Sequence, residues 1–413
     1  RTCMIGSSDI SSTSPGSDTG HAARPRAHDK NTRIPRPAIL AAATGLALVM
    51  LLSGCGDRGD VGIFASIERE EKIEKSNLPE VSTAGSMVYH PGEDKYYVAL
   101  GQLYSRGRTS SDWDDVSHPS GYRDGHTLDI VSVGGTDIYV AFFDTQSTKS
   151  ELFRLDAAND SFTKVWSPGK EISKLIGIDT NADGTNEELF AVTVESNKTD
   201  YTLVFEPFEG GSQSVVLDAS DDLTRVIDGA RDSVNGTQDT YVFVTKGQLY
   251  RGTDPSSSDF STLDGPFANY GGTTFVADPF GNTGEGWLYV TSTKGDVAYT
   301  ADSSVATPTW TTSSADNDRR YTDIAYVDFS PDFTGLTVGL DTRETSAGGY
   351  YEVTESLGTD RPDGDNYRAA DISDASIHGF YVDSTNETLF ALTNGDGLWS
   401  ATYENGEPEW SWE

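Results

Sequence analysis

The amino-acid sequence predicts an all-β fold made of many short strands. Three observations lead to this prediction: a composition rich in turn-forming residues, a strand pattern that recurs seven times, and the spacing of the recurrences. Glycine occurs 42 times among 413 residues, methionine occurs 3 times, and aromatic residues make up 10% of the chain. Such a composition is typical of strands joined by tight turns rather than of helices.

The recurring unit begins near Val81. An apolar strand is followed by a second strand rich in aromatic and β-branched residues, a third strand and a more polar fourth strand. Comparable positions of the second strands are Tyr97, Tyr139, Phe190, Tyr241, Tyr289, Leu336 and Phe390. Their spacing runs from 42 residues, between Tyr97 and Tyr139, to 54 residues, between Leu336 and Phe390. Seven units at this period predict a seven-bladed β-propeller of four-stranded antiparallel blades over residues 81–413.

Stacking explains why the second strands read as continuous apolar runs. A single blade cannot bury both of its faces, but blades arranged in a ring cover one another. A long solenoid is the competing repeat fold, and the units lack its short, strict period. The last unit ends with EWSWE as a fourth strand and the first begins with TAGSMVYH as an innermost strand. We therefore expect the ring to close by packing of blades, unless residues 62–75 add an outer strand.

The turn between the third and fourth strands carries a further signal. In the fifth unit this turn has the sequence TADSSVATPTW, which contains Asp302 and Trp310. In the seventh unit it has the sequence ATYENGEPEW, which contains Asn405, Gly406 and Trp410. In this arrangement the repeats resemble the sortilin-like and BNR-type propellers of sialidase-like proteins, whose hairpin carries S-x-D-x-G-x-x-W. The motif is not intact here, so the resemblance implies the fold and transfers no catalytic role.

The N-terminal region contains a targeting signal. Residues 33–56 read RIPRPAILAAATGLALVMLLSGCG, in which two arginines precede an apolar run too short for a comfortable membrane span. The run and the following LSGC resemble the signal peptide and lipobox of bacterial lipoproteins, which implies cleavage before Cys55 and acylation of its thiol. An ordinary cleaved signal, or a membrane anchor with a chance cysteine, is the alternative.

These signals predict three segments. Residues 1–54 form a disordered leader and lipoprotein signal peptide, residues 55–80 contain the lipidated cysteine and a linker, and residues 81–413 form the propeller. Within the linker, residues 62–75 suit either a short helix or a loose hairpin. A lipid anchor places the chain in the bacterial cell envelope, in the periplasm or on the surface, with the membrane as one partner.

Charge restricts the class of partner. The net charge is −35, with 65 acidic and 30 basic residues spread along the chain. A surface of this sign repels phosphate backbones, so we expect no nucleic-acid partner. We favour the interpretation that the dispersed acidic residues keep the protein soluble. The alternative is that they form a cation-binding surface. We expect a monomer.

Catalytic motifs do not stand out. The histidines of the expected mature chain form neither HxxH nor HExxH, and no G-x-S-x-G elbow or phosphate-binding glycine loop occurs. Sialidases, according to the resemblance, use three arginines and a tyrosine nucleophile; Arg123, Arg225 and Arg319 are available but do not lie in the family motif. Five tryptophans fall near fourth strands, where blade packing is favoured over a sugar-stacking platform: Trp113, Trp166, Trp310, Trp410 and Trp412.

One loop has the spacing of a calcium site. Residues 179–190 read DTNADGTNEELF, with oxygen-bearing side chains at alternate positions and Gly184 at the turn. The predicted ligands are Asp179, Asn181, Asp183, Thr185 and Glu187. The pattern resembles the D-x-[DN]-x-D-G-x-x-D loops of integrin-type FG-GAP propeller repeats, which implies a structural calcium ion. Asx-rich turns form without metal, and that interpretation weighs about equally.

Two functions from different classes follow. The first is a non-enzymatic, lipid-anchored propeller that binds a protein or a glycan. The second is a sialidase-like, glycan-active enzyme of the envelope. An arginine cluster beside a Tyr/Glu pair in the central channel favours the second, and a channel lined by Ser, Thr, Asp and aromatic residues favours the first. The sequence favours the first.

Overall fold

A computed structural model describes most of the predicted propeller. It describes residues 78, 84–120, 122, 126–180, 185–218, 223–232, 240–257, 259–277, 286–305, 307–313, 320–341, 348–353, 372, 375–404 and 407–413. All of them belong to one compact unit, Ser66–Glu413. The predicted leader, Cys55 and the linker residues 62–75 lie outside this description. Within it, no helix has the length and apolar character needed to cross a membrane.

The described strands form seven antiparallel sheets, each built from strands that are consecutive in the sequence. Strands are numbered in chain order. The innermost strands are β1 (Met87–His90), β5 (His126–Val133), β9 (Glu171–Ile178), β13 (Val226–Asp232), β17 (Tyr270–Ala277), β21 (Tyr321–Phe329) and β24 (Ile377–Asp383). The second strands are β2 (Lys95–Leu100), β6 (Asp137–Asp144), β10 (Glu188–Val194), β14 (Thr240–Thr245), β18 (Gly286–Ser292), β22 (Phe333–Leu340) and β25 (Thr388–Thr393).

The outer half of each sheet completes the blade. The third strands are β3 (Gln102–Gly107), β7 (Lys149–Asp156), β11 (Tyr201–Phe205), β15 (Leu249–Gly252), β19 (Val297–Thr300), β23 (Tyr350–Val353) and β26 (Leu398–Glu404). The fourth strands are β4 (Asp114–Asp115), β8 (Ser161–Trp166), β12 (Ser214–Leu217), β16 (Ser261–Leu263), β20 (Thr311–Thr312) and β27 (Glu407–Trp412). The sixth blade has three strands within the described residues. The all-β, seven-bladed propeller predicted from the repeats is confirmed.

Burial follows position in the blade. Every residue of β14, TYVFVT, is buried, because a neighbouring blade covers each face of this second strand. The fourth strand β8, SFTKVW, contains no buried residue, because it lies at the rim. The burial pattern therefore reproduces the polarity that the sequence shows between second and fourth strands.

Seven hydrophobic clusters fill the seven spaces between neighbouring blades. One of them joins the first and last blades and contains Tyr96 and Val98 of β2 together with Phe390 and Leu392 of β25. The backbone N–H of Ala84 also donates to a carbonyl of the last blade, at 3.0 Å. Within the described residues the ring thus closes by blade packing, and each described sheet is made from one stretch of chain. Residues 62–75, the alternative source of an outer strand, lie outside the description.

The rim tryptophans contribute to packing. Trp113 is 2% exposed and Trp410 is 8% exposed. The indole Nε1 of Trp410 donates to Tyr350 Oη at 3.2 Å, so this side chain joins the last two blades. Trp166 lies 4.8 Å from Phe208, measured between ring centroids. These contacts agree with the packing role that was favoured for the tryptophans.

Most innermost strands contain a β-bulge near their first residues. The pairing register shifts between Thr127 and Asp129 in β5, between Val226 and Asp228 in β13, and at comparable points in four further blades. A bulge turns side chains away from the regular alternation of a strand. It therefore aims polar residues at the axis of the ring, where the candidate site lies.

Candidate functional site

The central channel forms a large cavity in the described structure. Its volume is about 1030 Å³, and residues at or near all seven innermost strands line it. Charged and polar side chains concentrate near the strand starts, in five of the blades beside a bulge. They are Ser86, Asp129, Lys174, Asp228, Asp323 and His378. None of these six residues lies in a recognisable sequence motif, and His378 belongs to neither an HxxH nor an HExxH pattern.

These six side chains form a polar ring around the channel, and its first connection joins blades one, two and three. Ser86 Oγ donates to the carboxylate of Asp129 and lies 2.9 Å from the carbonyl oxygen of Ile130. The other oxygen of Asp129 accepts the backbone N–H of Leu175 at 2.7 Å. The carboxylate of Asp129, in the second blade, therefore accepts hydrogen bonds from both the first and the third blade.

The ring continues through blades three, four and five. Lys174 Nζ donates to the backbone carbonyl of Ile227 in the fourth blade. Asp228, one residue further along, accepts the N–H of Gly229 at 2.9 Å and that of Thr273 in the fifth blade at 3.3 Å. Each of these charged groups therefore reaches from its own blade to the backbone of the next.

Close backbone packing joins blades five and six. A Cβ atom on Gly271 would collide with the carbonyl oxygen of Tyr321, and one on Gly272 would lie 3.0 Å from Oδ1 of Asp323. Only glycine allows this approach. On the far side of the sixth blade, Asp323 accepts the N–H of Phe380 at 3.0 Å, which carries the ring into the seventh blade.

The last link returns to the first blade. The imidazole of His378 lies close to the backbone of Ala84 and Gly85 in the first blade. Burial is the largest cause that lowers the pKa of His378, to about 4, and the positive charges of Lys174 and Arg225 lower it further. The ring of His378 is therefore neutral at neutral pH.

Burial also governs the carboxylates. It raises the pKa of Asp129 and Asp228, and the ammonium of Lys174 opposes the rise in both. In Asp323, burial and the charge of Asp228 together raise the pKa to about 7. Asp129 is 7% exposed, whereas Asp228 and Asp323 are surrounded by protein but keep part of their surface open to the channel.

The predicted calcium loop lies at the other end of β9. Asp179 follows this strand and lines both the channel and an adjoining cavity of about 250 Å³. Glu187 Oε2 accepts hydrogen bonds from the backbone N–H of Thr180, at 2.6 Å, and from its hydroxyl, at 2.9 Å. The described part of the loop is thus tied as a turn. Thr185 lies in the same loop; Asn181 and Asp183 fall outside the described residues.

Two further questions concern metal-ligand clusters and the three arginines, to which the sequence assigned no role. Across the described residues, no group of three or more His, Cys, Asp or Glu side chains has the arrangement of a metal site. Arg225 lines the channel and is exposed where β13 begins. Arg123 and Arg319 lie outside the description, so the three arginines named from the sequence are not brought together by the part that is described.

Comparison with known proteins supports the fold. No protein-family model and no curated protein sequence matches the chain. Saccharomyces cerevisiae Sqt1 matches with a TM-score of 0.55 and 11% identity, over 82% of this chain and 87% of that one. The RRP9 WD40 repeats match with a TM-score of 0.49 and 11% identity, over 76% and 88%.

A prolyl endopeptidase structure matches with a TM-score of 0.51 and 11% identity. It covers 91% of this chain, which spans 55% of the endopeptidase. At 11% identity the likeness to Sqt1 and to the endopeptidase shows the fold alone, a β-propeller. The narrower resemblance to sortilin-like and BNR-type propellers stays a prediction.

Proposed function

We propose that this chain is a non-enzymatic interaction module, a propeller held at the cell envelope whose loops bind a protein partner. The observation that carries the proposal is the use of the channel's buried charges. Asp129, Lys174, Asp228 and Asp323 all hydrogen-bond the backbone of a neighbouring blade. Groups committed in this way make the disc rigid, and a rigid disc with variable loops suits recognition.

The channel lining also bears on the sialidase-like alternative. Among the described lining residues, Arg225 is the single arginine, and the wall is otherwise rich in Ser, Thr, Asp and aromatic side chains. This is the composition that favours a binding module over an arginine-based glycan site. Release of sialic acid from a panel of sialosides by the purified chain would instead support the enzyme.

Site-specific photo-crosslinking in the full chain tests the proposal. A photoreactive residue is placed at exposed turns, Gln146 and Lys246 on one face and Glu93 on the other, and at exposed rim positions Thr163 and Val215 as matched controls. We expect one discrete protein adduct from the turns of one face and none from the rim. Equal adducts from turns and rim, or a glycan array that outcompetes every protein adduct, would contradict a protein-binding module.

Cys55 provides the anchor in this proposal, as the lipobox resemblance implies. The two cysteines of the chain offer a matched pair, since Cys3 lies outside the lipobox. Cys55→Ser is expected to abolish incorporation of labelled fatty acid and partition into detergent, whereas Cys3→Ser leaves both unchanged. Labelling of the Cys55→Ser protein at the wild-type level would remove the anchor from the proposal.

A structural calcium ion in the loop 179–187 remains part of the proposal. Support comes from the oxygen spacing and from the position of Asp179 at a strand end, while the turn bonds of Glu187 support the metal-free alternative. We expect calcium at millimolar concentration to raise the melting temperature, and Asp179→Asn with Asp183→Asn to abolish the rise. A melting temperature that calcium leaves unchanged would establish the plain turn.

A further inference from the structure

The polar ring leaves the central channel with more acceptors than cations. We propose that this channel binds an alkylammonium group, carried by a free amine or by a lysine side chain of a partner. The inference does not depend on the protein-binding role of the loops, because a small amine can enter the channel whether or not a macromolecule docks on the disc.

The first observation is the charge balance. Three carboxylates, Asp129, Asp228 and Asp323, lie at the channel wall, and the ammonium of Lys174 is the positive charge that acts on all three. Buried carboxylates are costly unless a cation compensates them. With all three ionised, the cluster keeps a net charge of about −2, so a second cation would be stabilised there.

A second, independent observation is an unsatisfied acceptor. His378 lies on the channel wall, and its buried Nδ1 atom has no hydrogen-bond partner. The ring is neutral because burial lowers the pKa of His378 to about 4. A neutral imidazole offers one nitrogen as donor and the other as acceptor. An ammonium N–H is the kind of group that satisfies such an acceptor.

The third observation is the shape and chemistry of the wall. Phe275, Tyr326 and Phe380 come from three consecutive blades, are partly exposed, and line the same cavity. Aromatic faces attract cations, and their apolar surface accommodates an alkyl chain. A volume of about 1030 Å³ leaves room for a ligand much larger than a metal ion.

Calorimetric titration of the full chain with defined amines tests the inference. The probes are 1,6-diaminohexane and the peptide acetyl-Gly-Lys-Gly-amide; 1,6-hexanediol and the norleucine peptide are their uncharged controls. Salt of about 0.3 M limits the range of surface electrostatics to about 6 Å, which suppresses general attraction to an acidic chain. We expect the amines to bind and the uncharged controls not to bind.

Variants locate the site. Asp228→Asn and Phe380→Leu are expected to weaken amine binding at least tenfold, whereas Asp264→Asn, an exposed acid outside the channel, leaves it unchanged. Melting curves establish that each variant is folded. If Asp228→Asn unfolds, Phe380→Leu and the wild-type measurement below still decide the question.

Proton release provides a test on the wild-type chain. Burial and the charge of Asp228 raise the pKa of Asp323 to about 7. The other charged or titratable groups that face it are Asp129, Lys174 and His378, with Arg225 at the mouth of the channel. An ammonium bound among these groups should expel the proton of Asp323 near pH 6 and expel none near pH 8.5. Titration in two buffers of different ionisation enthalpy measures this release.

The outcomes separate the sources of the ligand. Binding of the diamine alone indicates a free amine, and binding of both amine probes indicates a lysine side chain. Equal binding of the diol, no binding of either amine, or amine binding at pH 6 without proton release would overturn the proposal. Failure of the crosslinking experiment leaves it untouched, since these probes need no partner protein.

Discussion

The interface that closes the ring differs from an interface between consecutive blades. Blades three and four are joined by the chain, and their contact is centred on Phe190 and Phe243, with ring centroids 5.0 Å apart. Blades seven and one meet without that covalent link. Their contact has a similar aromatic centre, Phe390 and Tyr96, with centroids 5.2 Å apart. Polar groups lie beside both centres, since between blades three and four Tyr241 Oη donates to Glu188 Oε1 at 2.9 Å. The closing interface differs because it contains a buried ion pair.

A buried ion pair lies on one side of the closing interface. Arg106 Nη1 is 2.6 Å from Glu413 Oε2, and the two side chains are only 11% and 8% exposed. The same carboxylate oxygen accepts Trp113 Nε1–H at 3.2 Å, and the guanidinium lies 4.9 Å from the Trp113 ring. This is the most buried of the ion pairs found in the described residues.

A neighbouring network joins the same two blades. Tyr96 Oη donates to the carboxylate of Asp383, and Asn386 Nδ2 donates to Tyr96 Oη at 3.1 Å. Arg108 Nη1 in turn donates to Asn386 Oδ1 at 2.7 Å. These bonds connect residues separated by 278 to 290 positions in the chain.

The comparison shows where directional contacts are needed. Consecutive blades are kept near one another by a short connection, in addition to their apolar packing and the hydrogen bonds of the polar ring. Bringing the two ends of the ring together costs loop-closure entropy that no linker offsets. Charged and hydrogen-bonded groups accept few alternative partners, so they fix the register in which the last blade meets the first.

The largest expected effect comes from removing the aromatic centres. Phe390→Ala and Phe190→Ala each delete a fully buried ring, at a cost of about 3–5 kcal/mol in the free energy of unfolding. We expect the former to cost more, because Phe390 also lies 5.7 Å from the Arg106 guanidinium. Urea denaturation measures the cost. Hydrogen exchange should accelerate in β2 and β25 for Phe390→Ala; unchanged protection there would argue against a separate closing interface.

The next effect concerns the ion pair. Glu413→Ala leaves the Arg106 guanidinium buried without its carboxylate and is expected to cost about 3 kcal/mol. Glu209→Ala is the matched control, since the Arg154–Glu209 pair is 42% and 39% exposed, and such pairs contribute less than about 1 kcal/mol. Urea midpoints that shift equally for the two variants would show that burial of the closing pair has no energetic consequence.

A smaller effect is expected from two adjacent tyrosines. Tyr96→Phe removes a hydrogen bond to the Asp383 carboxylate and should cost about 1.5–3 kcal/mol. Tyr97→Phe removes only a long contact, 3.5 Å to the carbonyl oxygen of Ala157, and should cost less than about 1 kcal/mol. Thermal denaturation of both variants checks the order; the reverse order would contradict the role of Tyr96 in closure.

The smallest net effect is the pH dependence, because two groups oppose each other. The pKa of His378 is lowered from 6.5 to about 4, so its contribution to stability falls as pH drops from about 6.5 to 4. The pKa of Asp323 is raised to about 7, so its contribution is present at low pH and is lost as pH rises toward 7. Denaturation midpoints between pH 4 and 6.5 should fall more steeply with rising pH in His378→Gln than in the wild type. Asp323→Asn should change the slope in the opposite sense, and two parallel profiles would contradict both assignments.

The sequence alone determined the architecture. Apolar second strands recur with turns between them. A strand that is buried on both faces needs apolar residues at consecutive positions, so it appears in the sequence as a continuous apolar run. The seven comparable positions, from Tyr97 to Phe390, therefore predict seven blades. Leu336, among six aromatic residues, shows that the signal is apolar character rather than one residue type.

Only the tertiary structure decided which polar residues act together. Ser86, Asp129, Lys174 and Asp228 look like isolated polar positions in four different repeats, and the bulges that aim them at the channel leave no local motif. Arg106 and Glu413 stand 307 positions apart and meet because the ring closes. Buried strands can be recognised from the local sequence, because apolar segments recur at a regular spacing along the chain. Pairing of charges depends on side-chain direction and on which blades become neighbours, and both are fixed only when the propeller is assembled.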